Sequence, residues 1–389
     1  MSTGRGVVIV GGGPAGLATA RAFREAGGDG PVTIVAAEPH APYERPPLTK
    51  EFLRGETAEH DLPIEDELWF ARHKVDLRTG VRATALDLAG RQVALDDGEH
   101  LDYEHCVLAT GSEPQRLPVP GADDPGVLTM RTIEDARALQ RHGRRVVVVG
   151  SGFVGCEAGA SLAARGAAVT VVTAEALPQS ERLGPEVGGR ITTWMEDAGV
   201  ELMAGTELSR IERDGSTWRV QAGDHAELDA DTVLMAVGVA PRVGLAREAG
   251  LRVEGGGVAT GADMRTSDPA VLAVGDVAYA HNAAAGRPLP VEHWGEALHQ
   301  GAVAGAVLAG EDRAWANAPG FWSAIADRTL KYVAWGDGYS SVRLDAGDDG
   351  GFTAWYGDDD GTCVGVLCHR RDDDYERGRE LVESGAPTP

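Results

Sequence analysis

Gly11-Gly12-Gly13-Pro14-Ala15-Gly16 follows directly on the apolar run Val7-Val8-Ile9-Val10, and Gly150-Ser151-Gly152-Phe153-Val154-Gly155 follows Val146-Val147-Val148-Val149. Each stretch predicts a strand, a tight glycine turn and a helix, the context that dinucleotide binding requires. The glycines let the backbone approach a pyrophosphate, and the helix N-terminus offers free N–H groups. One such turn also occurs merely to pack a helix on a sheet. Two copies in matching contexts indicate a chain that binds two dinucleotides and passes electrons between them.

The repeat extends beyond the glycines. After the first turn we predict a helix over 17–27 and a strand over 32–35; after the second, a helix over 156–166 and a strand over 169–172. A whole strand–helix–strand unit is therefore repeated. The predicted fold class is α/β, with two Rossmann-like dinucleotide-binding domains.

Composition narrows the class of protein. A chain of 389 residues with 43% hydrophobic residues fits a multidomain α/β enzyme. The net charge of −24 argues against nucleic acid or an anionic membrane surface as partner. No apolar run approaches the ~18 residues of a membrane helix, and a first strand near Gly6 predicts no signal peptide and a cytoplasmic location. The four cysteines form no C-x-x-C, so no disulfide framework or metal site is predicted.

Acidic residues near strand ends suggest which cofactor each turn holds. Glu38 follows the second strand at the distance where a carboxylate accepts hydrogen bonds from an adenosine ribose. In the second copy Thr173 stands directly after the strand, and Glu175 two residues later is within reach of a ribose 2′-hydroxyl, which favours NADH, although nearby Arg182 leaves NADPH open. Gly275-Asp276 ends a buried strand, where the Asp suits either the polyol chain of a flavin or a helix N-cap.

The chain resembles the FAD-dependent NAD(P)H:ferredoxin reductases of oxygenase and P450 systems, with rubredoxin reductases and apoptosis-inducing factor as relatives. The resemblance covers nearly the whole chain, and Tyr43-Glu44-Arg45-Pro46-Pro47-Leu48-Thr49-Lys50 is its most specific part. Relatives that reduce disulfides carry a C-x-x-x-x-C pair in this region. This chain has no cysteine before position 106, so thiol–disulfide chemistry at the flavin is not expected.

The resemblance implies hydride transfer from NADH to FAD, followed by single electrons to a 2Fe–2S ferredoxin that serves a P450 or Rieske oxygenase. It further implies that Arg45 and Lys50 line the flavin, that Lys50 pairs with Glu157, and that Trp294 and Trp322 flank the flavin or nicotinamide ring. His293 is predicted to be structural. Lys50, Glu157 and Trp322 are the predicted catalytic residues. The predicted cofactor contacts are Gly11, Gly13, Pro14, Ala15, Gly16, Glu38, Arg45, Lys50, Ala109, Thr110, Gly111, Gly150, Gly152, Phe153, Val154, Gly155, Glu157, Glu175, Gly238, Gly275, Asp276, Glu292, His293, Trp294 and Trp322.

Three features depart from the family pattern. Ala324 follows Phe321-Trp322-Ser323 where the family usually has Asp, and Arg242 follows Pro241 where it usually has Asn. The acidic net charge also disfavours long-range attraction of an acidic ferredoxin. Two alternatives therefore stay open: a flavoenzyme that reduces a small molecule or oxygen directly, and a non-catalytic NADH-sensing flavoprotein.

The predicted architecture has three domains. An FAD-binding domain comprises 1–112 and 241–312, an NAD(P)H-binding domain 113–240, and a C-terminal α+β domain 313–389, which ends in an exposed helix from Asp372. The C-terminal domain is expected to supply Trp322. Both a monomer and a homodimer are compatible with the sequence.

Overall fold

The computed structural model of the protein describes residues 6–223 and 226–389, so the first five residues of the predicted FAD-binding domain, and residues 224 and 225 of the predicted NAD(P)H-binding domain, lie outside the described residues. Its first segment contains β1 (Gly6–Val10), α1 (Pro14–Glu25), β2 (Val32–Ala36), α2 (Glu51–Arg54), α3 (Glu67–Arg72), β3 (Val75–Thr79), β4 (Ala83–Asp87), β5 (Gln92–Leu95), β6 (His100–Leu108) and β7 (Ser112–Pro114).

The middle segment repeats the strand–helix–strand unit of the first segment. It contains α4 (Ile133–Gln140), β8 (Arg145–Val149), α5 (Phe153–Ala164), β9 (Ala168–Val172), α6 (Ser180–Leu183), α7 (Pro185–Asp197), β10 (Val200–Met203), β11 (Leu208–Asp214), β12 (Thr217–Ala222), β13 (Ala226–Ala230) and β14 (Thr232–Met235).

The remaining elements form a return segment and a C-terminal sheet. The return segment contains β15 (Val239–Pro241), α8 (Gly244–Glu248), β16 (Val253–Glu254), β17 (Gly257–Thr260), β18 (Val271–Ala273), β19 (Ala278–Asn282), β20 (Arg287–Pro290) and α9 (Trp294–Leu308). The C-terminal part contains β21 (Gly320–Ile325), β22 (Arg328–Ala334), β23 (Ser341–Ala346), β24 (Phe352–Gly357), β25 (Cys363–His369) and α10 (Asp372–Ser384).

The two repeated segments build sheets of the same order. In the first, parallel strands run β3-β2-β1-β6, and β4 and β5 extend β6 as an antiparallel meander. In the second, the parallel order is β10-β9-β8-β14, and β11, β12 and β13 form a separate meander. In each sheet the glycine turn therefore follows a strand with parallel neighbours on both sides, where an open α/β sheet binds its ligand.

The return segment completes the first sheet. Strand β18 pairs in parallel with β6, and α9 packs along α1. Residues separated by the whole middle segment thus share one core. A two-stranded antiparallel ribbon joins the points where the chain leaves and re-enters this unit, with Ser112 opposite Pro241 and Pro114 opposite Val239. The ribbon comprises residues 112–114 and 239–241, and the limits of the inserted domain at 113 and 240 stay a prediction.

The C-terminal part is a five-stranded antiparallel sheet of order β21-β22-β25-β24-β23, covered by α10. Aromatic and aliphatic side chains from β22, β24 and β25 fill its interior. Two Rossmann-like units and a C-terminal α+β unit are thus present, as the sequence predicts. Among the residues described, no helix has the length and apolar character needed to cross a bilayer.

Candidate active site

Both glycine turns open into one cavity of about 2150 Å³. Every residue predicted to contact a cofactor lines this cavity except Gly16 and Gly155. Those two glycines face the turns themselves, because a Cβ atom would lie 2.2 Å from the Gly11 carbonyl oxygen at Gly16 and 2.1 Å from the Gly150 carbonyl oxygen at Gly155. The last glycine of each turn therefore permits close packing and does not face the cavity.

The first glycine of each turn meets the same constraint. Gly11 has φ of +133° and Gly150 has φ of +101°, values that L residues rarely adopt. A Cβ atom would lie 2.0 Å from the Ala109 carbonyl oxygen in the first case and 2.4 Å from the Ala236 carbonyl oxygen in the second. Helices α1 and α5 then begin without a side-chain cap, so their first N–H groups are available to a ligand.

A carboxylate lies beyond the first turn, as predicted, but both its oxygens are already bonded. The Arg45 guanidinium donates to Glu38 Oε1 at 2.7 Å, and the Tyr43 hydroxyl donates to Glu38 Oε2. Arg45 also donates to the Arg131 carbonyl oxygen at 2.6 Å. Arg45 is thus held at the Glu38 end of the cavity, whereas Lys50 has a separate set of partners.

Positive charge gathers near the first turn. Arg131 donates to Asp276 Oδ2 at 2.9 Å, and Ser112 donates to the same oxygen at 2.6 Å. Burial lowers the pKa of Arg242, and the nearby guanidinium groups of Arg131 and Arg45 lower it further, despite the opposing charge of Glu113. The Arg242 backbone is fixed because its N–H donates to Gly111 and its carbonyl oxygen accepts from Thr110. Each of these guanidinium groups also lies near a carboxylate, since Arg45 pairs with Glu38, Arg131 with Asp276 and Arg242 with Glu113.

Lys50 is buried against Glu157, as the resemblance implies. Its Nζ donates to Glu157 Oε2 at 3.0 Å and lies 4.7 Å from the ring centroid of Trp322. Lys50 is 3% exposed, whereas Trp322 is 48% exposed. A buried ammonium needs such a carboxylate partner, since desolvation alone would favour its neutral form. The buried ammonium therefore contacts the ring of a tryptophan whose side chain is partly exposed to solvent.

Aromatic rings form the opposite side of this part of the cavity. Phe321 packs against Phe153 and against His293, with both ring centroids 4.7 Å away. Burial lowers the pKa of His293 to about 4, so its imidazole is neutral near pH 7 and suits the predicted structural role. Burial also raises the pKa of the neighbouring Glu292 carboxyl, with the charge of Asp276 adding to the effect. Trp294 begins α9 and lines the same cavity.

The second turn is built with hydroxyl groups where the first has apolar contact. Ser151 and Thr173 share a hydrogen bond of 2.8 Å, and Gln179 donates to the Ser151 carbonyl oxygen at 3.1 Å. Gln179 itself has φ of +61°. Burial raises the pKa of Glu175, and its Oε2 is buried with no hydrogen-bond partner among the described residues. The backbone N–H groups at the start of α6 also act on this carboxyl, because they lower the pKa that burial raises.

The residues present fit two dinucleotides. The cavity exceeds the roughly 300–1,000 Å³ of ordinary small-molecule pockets. Two uncapped helix N-termini, a guanidinium cluster and an unpartnered buried carboxylate oxygen supply the groups that pyrophosphate and ribose require. No cysteine lines the described part of the cavity, and all four cysteines are buried. In the described ranges, no cluster of His, Cys, Asp or Glu side chains suits a metal ion.

Sequence reasoning missed several residues of the site. Thr49, Ser323 and the Ala324 N–H all bind the Glu157 carboxylate, and Ser112 and Arg131 bind Asp276. Only Ser323 and Thr49 carried a signal, because both belong to motifs quoted above. The other contacts come from segments whose proximity depends on the tertiary fold.

The fold and the cavity define a flavoprotein reductase with two dinucleotide sites, and comparison with known proteins agrees. Residues 5–301 match the family described as pyridine nucleotide-disulphide oxidoreductase. The chain is 35% identical over 389 residues to the ferredoxin–NAD(+) reductase component of the anthranilate 1,2-dioxygenase system of Burkholderia cepacia, covering 98% of this chain and 95% of that protein. It is 32% identical to putidaredoxin reductase of Pseudomonas putida, covering 88% and 83%.

A solved structure shows the same architecture. The crystal structure of the covalent putidaredoxin reductase–putidaredoxin complex aligns with a TM-score of 0.92 at 30% identity, covering 99% of this chain and 94% of that chain. The chain belongs to the pyridine nucleotide-disulphide oxidoreductase family. Reductases of this kind are FAD- and NAD(H)-dependent oxidoreductases, so the predicted enzyme class and cofactors are confirmed.

Proposed function

We propose that the protein is an NADH:ferredoxin reductase, which delivers electrons to a small iron–sulfur protein of a P450 or Rieske oxygenase system. The observation that carries this proposal is the position of Lys50, held between Glu157 and the exposed Trp322 in a cavity that both glycine turns share. A relative that acts on ferredoxin covers nearly the whole chain and supports it.

The first turn is proposed to hold FAD. The N–H groups at the start of α1 would bind the pyrophosphate, with Arg131 and Arg242 balancing its charge. Glu38 would accept the ribose hydroxyls, and its bonds to Arg45 and Tyr43 orient it for that role. We therefore assign Arg45 to the adenosine side. Asp276, anchored by Ser112 and Arg131, would accept hydroxyls of the polyol chain.

Lys50 is proposed to face the reactive end of the flavin. When bound, FAD accepts a hydride from NADH and returns the two electrons singly. The Lys50 ammonium would stabilise the negative charge that develops on reduction of the bound flavin, and Glu157 holds the ammonium in its place. His293 is proposed to be structural, because its buried ring packs against Phe321 and burial lowers its pKa to about 4.

The second turn is proposed to bind NADH. Glu175 would accept a hydrogen bond from the adenosine ribose through Oε2, and its carboxylate would repel the 2′-phosphate of NADPH. Phe153 and Val154 begin α5 and line the cavity, so their side chains would pack against the nicotinamide end.

The face around Trp322 is proposed as the exit for electrons. Lys331 on the same cavity pairs with Asp372 at 2.7 Å, and Arg379 contacts the Tyr375 hydroxyl at 3.0 Å. These basic groups are locally balanced, so short-range contact with the indole would dominate docking. We retain the three domains of the sequence analysis as part of this proposal, with the ribbon of β7 and β15 at the internal limits.

The test is NADH-dependent cytochrome c reduction by the FAD-loaded protein, with and without a panel of 2Fe–2S ferredoxins. We expect strong stimulation by at least one ferredoxin. Rapid bleaching of the flavin by NADH without any stimulation would favour direct reduction of a small molecule or oxygen. Very slow turnover with a long-lived charge-transfer band would favour the NADH-sensing alternative.

A further inference from the structure

The Glu157 carboxylate joins three segments that are far apart in the chain. Oε2 accepts hydrogen bonds from the Thr49 hydroxyl and from Lys50 Nζ, both in the first segment. Oε1 accepts from the Ser323 hydroxyl at 2.7 Å and from the Ala324 N–H at 3.3 Å, both in β21. Glu157 itself belongs to α5 of the middle segment. The C-terminal sheet and the lysine thus bind opposite oxygens of one carboxylate.

This arrangement limits where the Lys50 ammonium can lie. A lysine side chain has a flexible four-carbon stem, so its position depends on its partner. Here the partner is buried and saturated by donors, and such charge-assisted bonds are short and strong. Consecutive residues of β21 act on the same ammonium, because Trp322 stacks on it and Ser323 fixes its carboxylate.

We propose that Ser323 is a positioning residue for Lys50 and acts through Glu157. The packing of the C-terminal sheet thereby determines the position of the ammonium that faces the flavin. This rests on the role proposed for Lys50 above. It also explains why Ala324 is compatible with the site despite the family's usual Asp. The contact from position 324 uses the backbone N–H, which any residue except proline supplies.

The direct test is Ser323→Ala, with Ser323→Thr restoring the hydroxyl. We expect Ser323→Ala to slow flavin reduction by NADH about tenfold in stopped-flow measurements, since it removes one hydrogen bond to a buried charge. The midpoint potential of bound FAD should become more negative, while FAD content and the NADH dissociation constant stay unchanged. Thr353→Val is the matched control, because it removes another buried hydroxyl of the same sheet, bonded to Asp374.

A double-mutant cycle separates positioning from a general structural effect. In a Lys50→Met background, Ser323→Ala should leave the reduction rate and the potential unchanged, because no ammonium remains to be positioned. An equal slowing in both backgrounds, or a normal rate and potential in Ser323→Ala alone, would overturn the proposal. If Lys50→Met itself reduces normally, the role proposed for Lys50 fails first and is recognised as such.

A second variant covers the case in which Ser323→Ala loses FAD or unfolds. Ser323→Cys keeps the size of the side chain and replaces the hydroxyl by a weak thiol donor. It should give a smaller change of the same sign in both rate and potential. A wild-type potential in this variant would count against the proposal.

Discussion

The first and second glycine turns share a backbone and differ in what surrounds it. Gly11 and Gly150 have positive φ and face a carbonyl oxygen at the same point of each turn. Beyond the first turn, both oxygens of Glu38 are already bonded within the protein. Beyond the second, Glu175 keeps one buried oxygen without a partner among the residues described.

On the assignment proposed above, this difference separates a resident cofactor from a substrate. At the first turn the carboxylate and guanidinium groups are oriented in advance, which lowers the cost of binding and favours long retention. At the second turn, on the same assignment, the unpartnered Glu175 oxygen would make its bond only to the ligand. The comparison therefore supports FAD at the first turn and a nicotinamide nucleotide, which must come and go, at the second.

The largest effects are expected from substitutions in the glycine turns, and they test whether each turn binds its own dinucleotide independently of the other. Gly11→Ala should destabilise the fold by about 3 kcal/mol or more and abolish FAD binding, because its Cβ would lie 2.0 Å from the Ala109 carbonyl oxygen. Gly150→Ala should also destabilise the fold, because its Cβ would lie 2.4 Å from the Ala236 carbonyl oxygen, but it should keep FAD and lose NADH. Thermal unfolding and the flavin-to-protein ratio measure both. Gly13→Ala is the control, since no atom lies within 4 Å of its Cβ position and only FAD affinity should fall. Equal stability of all three variants would contradict the prediction that a Cβ atom at Gly11 clashes with the Ala109 carbonyl oxygen.

The second largest effect is expected at Lys50, where the first segment contacts Glu157 of the middle segment. Lys50→Met should retain FAD but slow flavin reduction by NADH about a hundredfold, because it removes a preorganised charge. Anaerobic stopped-flow absorbance gives the rate. Lys331→Met serves as the control: it removes a lysine that lines the same cavity and pairs with Asp372, so reduction by NADH should not change. Normal reduction by the Lys50 variant would rule out its assigned role.

A smaller effect is expected at the second turn. Glu175→Gln should raise KM for NADH about tenfold with little change in kcat. It should also reduce the preference of the enzyme for NADH over NADPH. Burial raises the pKa of Glu175, so the carboxyl becomes neutral at higher pH than usual. KM for NADH should therefore rise as pH falls towards that pKa, and the variant should lose this dependence. Glu207→Gln, an exposed change on the same cavity, should leave KM unaltered.

The smallest effect is expected at Arg242, one of the guanidinium groups near the first turn. Arg242→Asn, which introduces the usual family residue, should raise the FAD dissociation constant about threefold at low salt and less at high salt, because the side chain is partly exposed. Fluorescence titration of the FAD-free protein with FAD measures this constant. Arg252→Asn is the control, since Arg252 does not line the cavity. Equal effects of the two substitutions would show that the guanidinium cluster is not specific.

The backbone features of the site were predictable from the sequence. Local patterns of glycine after an apolar run determine the turns, and the repeat determines two similar sheets, so the fold follows. The pairing of Lys50 with Glu157 followed from the family motifs and is present at 3.0 Å. The glycine turns and the Lys50–Glu157 pair were predictable because few other residue types could replace glycine, lysine or glutamate at these positions.

Contacts made by common residue types were not predictable. The prediction that Arg45 lines the flavin did not include its bond to Glu38, because a guanidinium pairs with whichever carboxylate the fold brings near. Gln179 supports the second turn from a left-handed backbone position that no local pattern indicates. The Ala324 N–H leaves no trace in the sequence, since its side chain plays no part. Such contacts depend on long-range packing.

The ribbon of β7 and β15 has a consequence for how such reductases change over evolution. Ser112 lies opposite Pro241, and the Gln115 N–H donates to the Gly238 carbonyl oxygen at 2.9 Å, so both ends of the inserted segment emerge side by side. A segment with adjoining ends is exchangeable as a cassette without rethreading its host. The middle segment could be replaced by that of an NADPH-dependent relative to swap coenzyme preference. The donor would need a glutamate at the position of Glu157, because this carboxylate binds both Lys50 of the first segment and Ser323 of the C-terminal sheet.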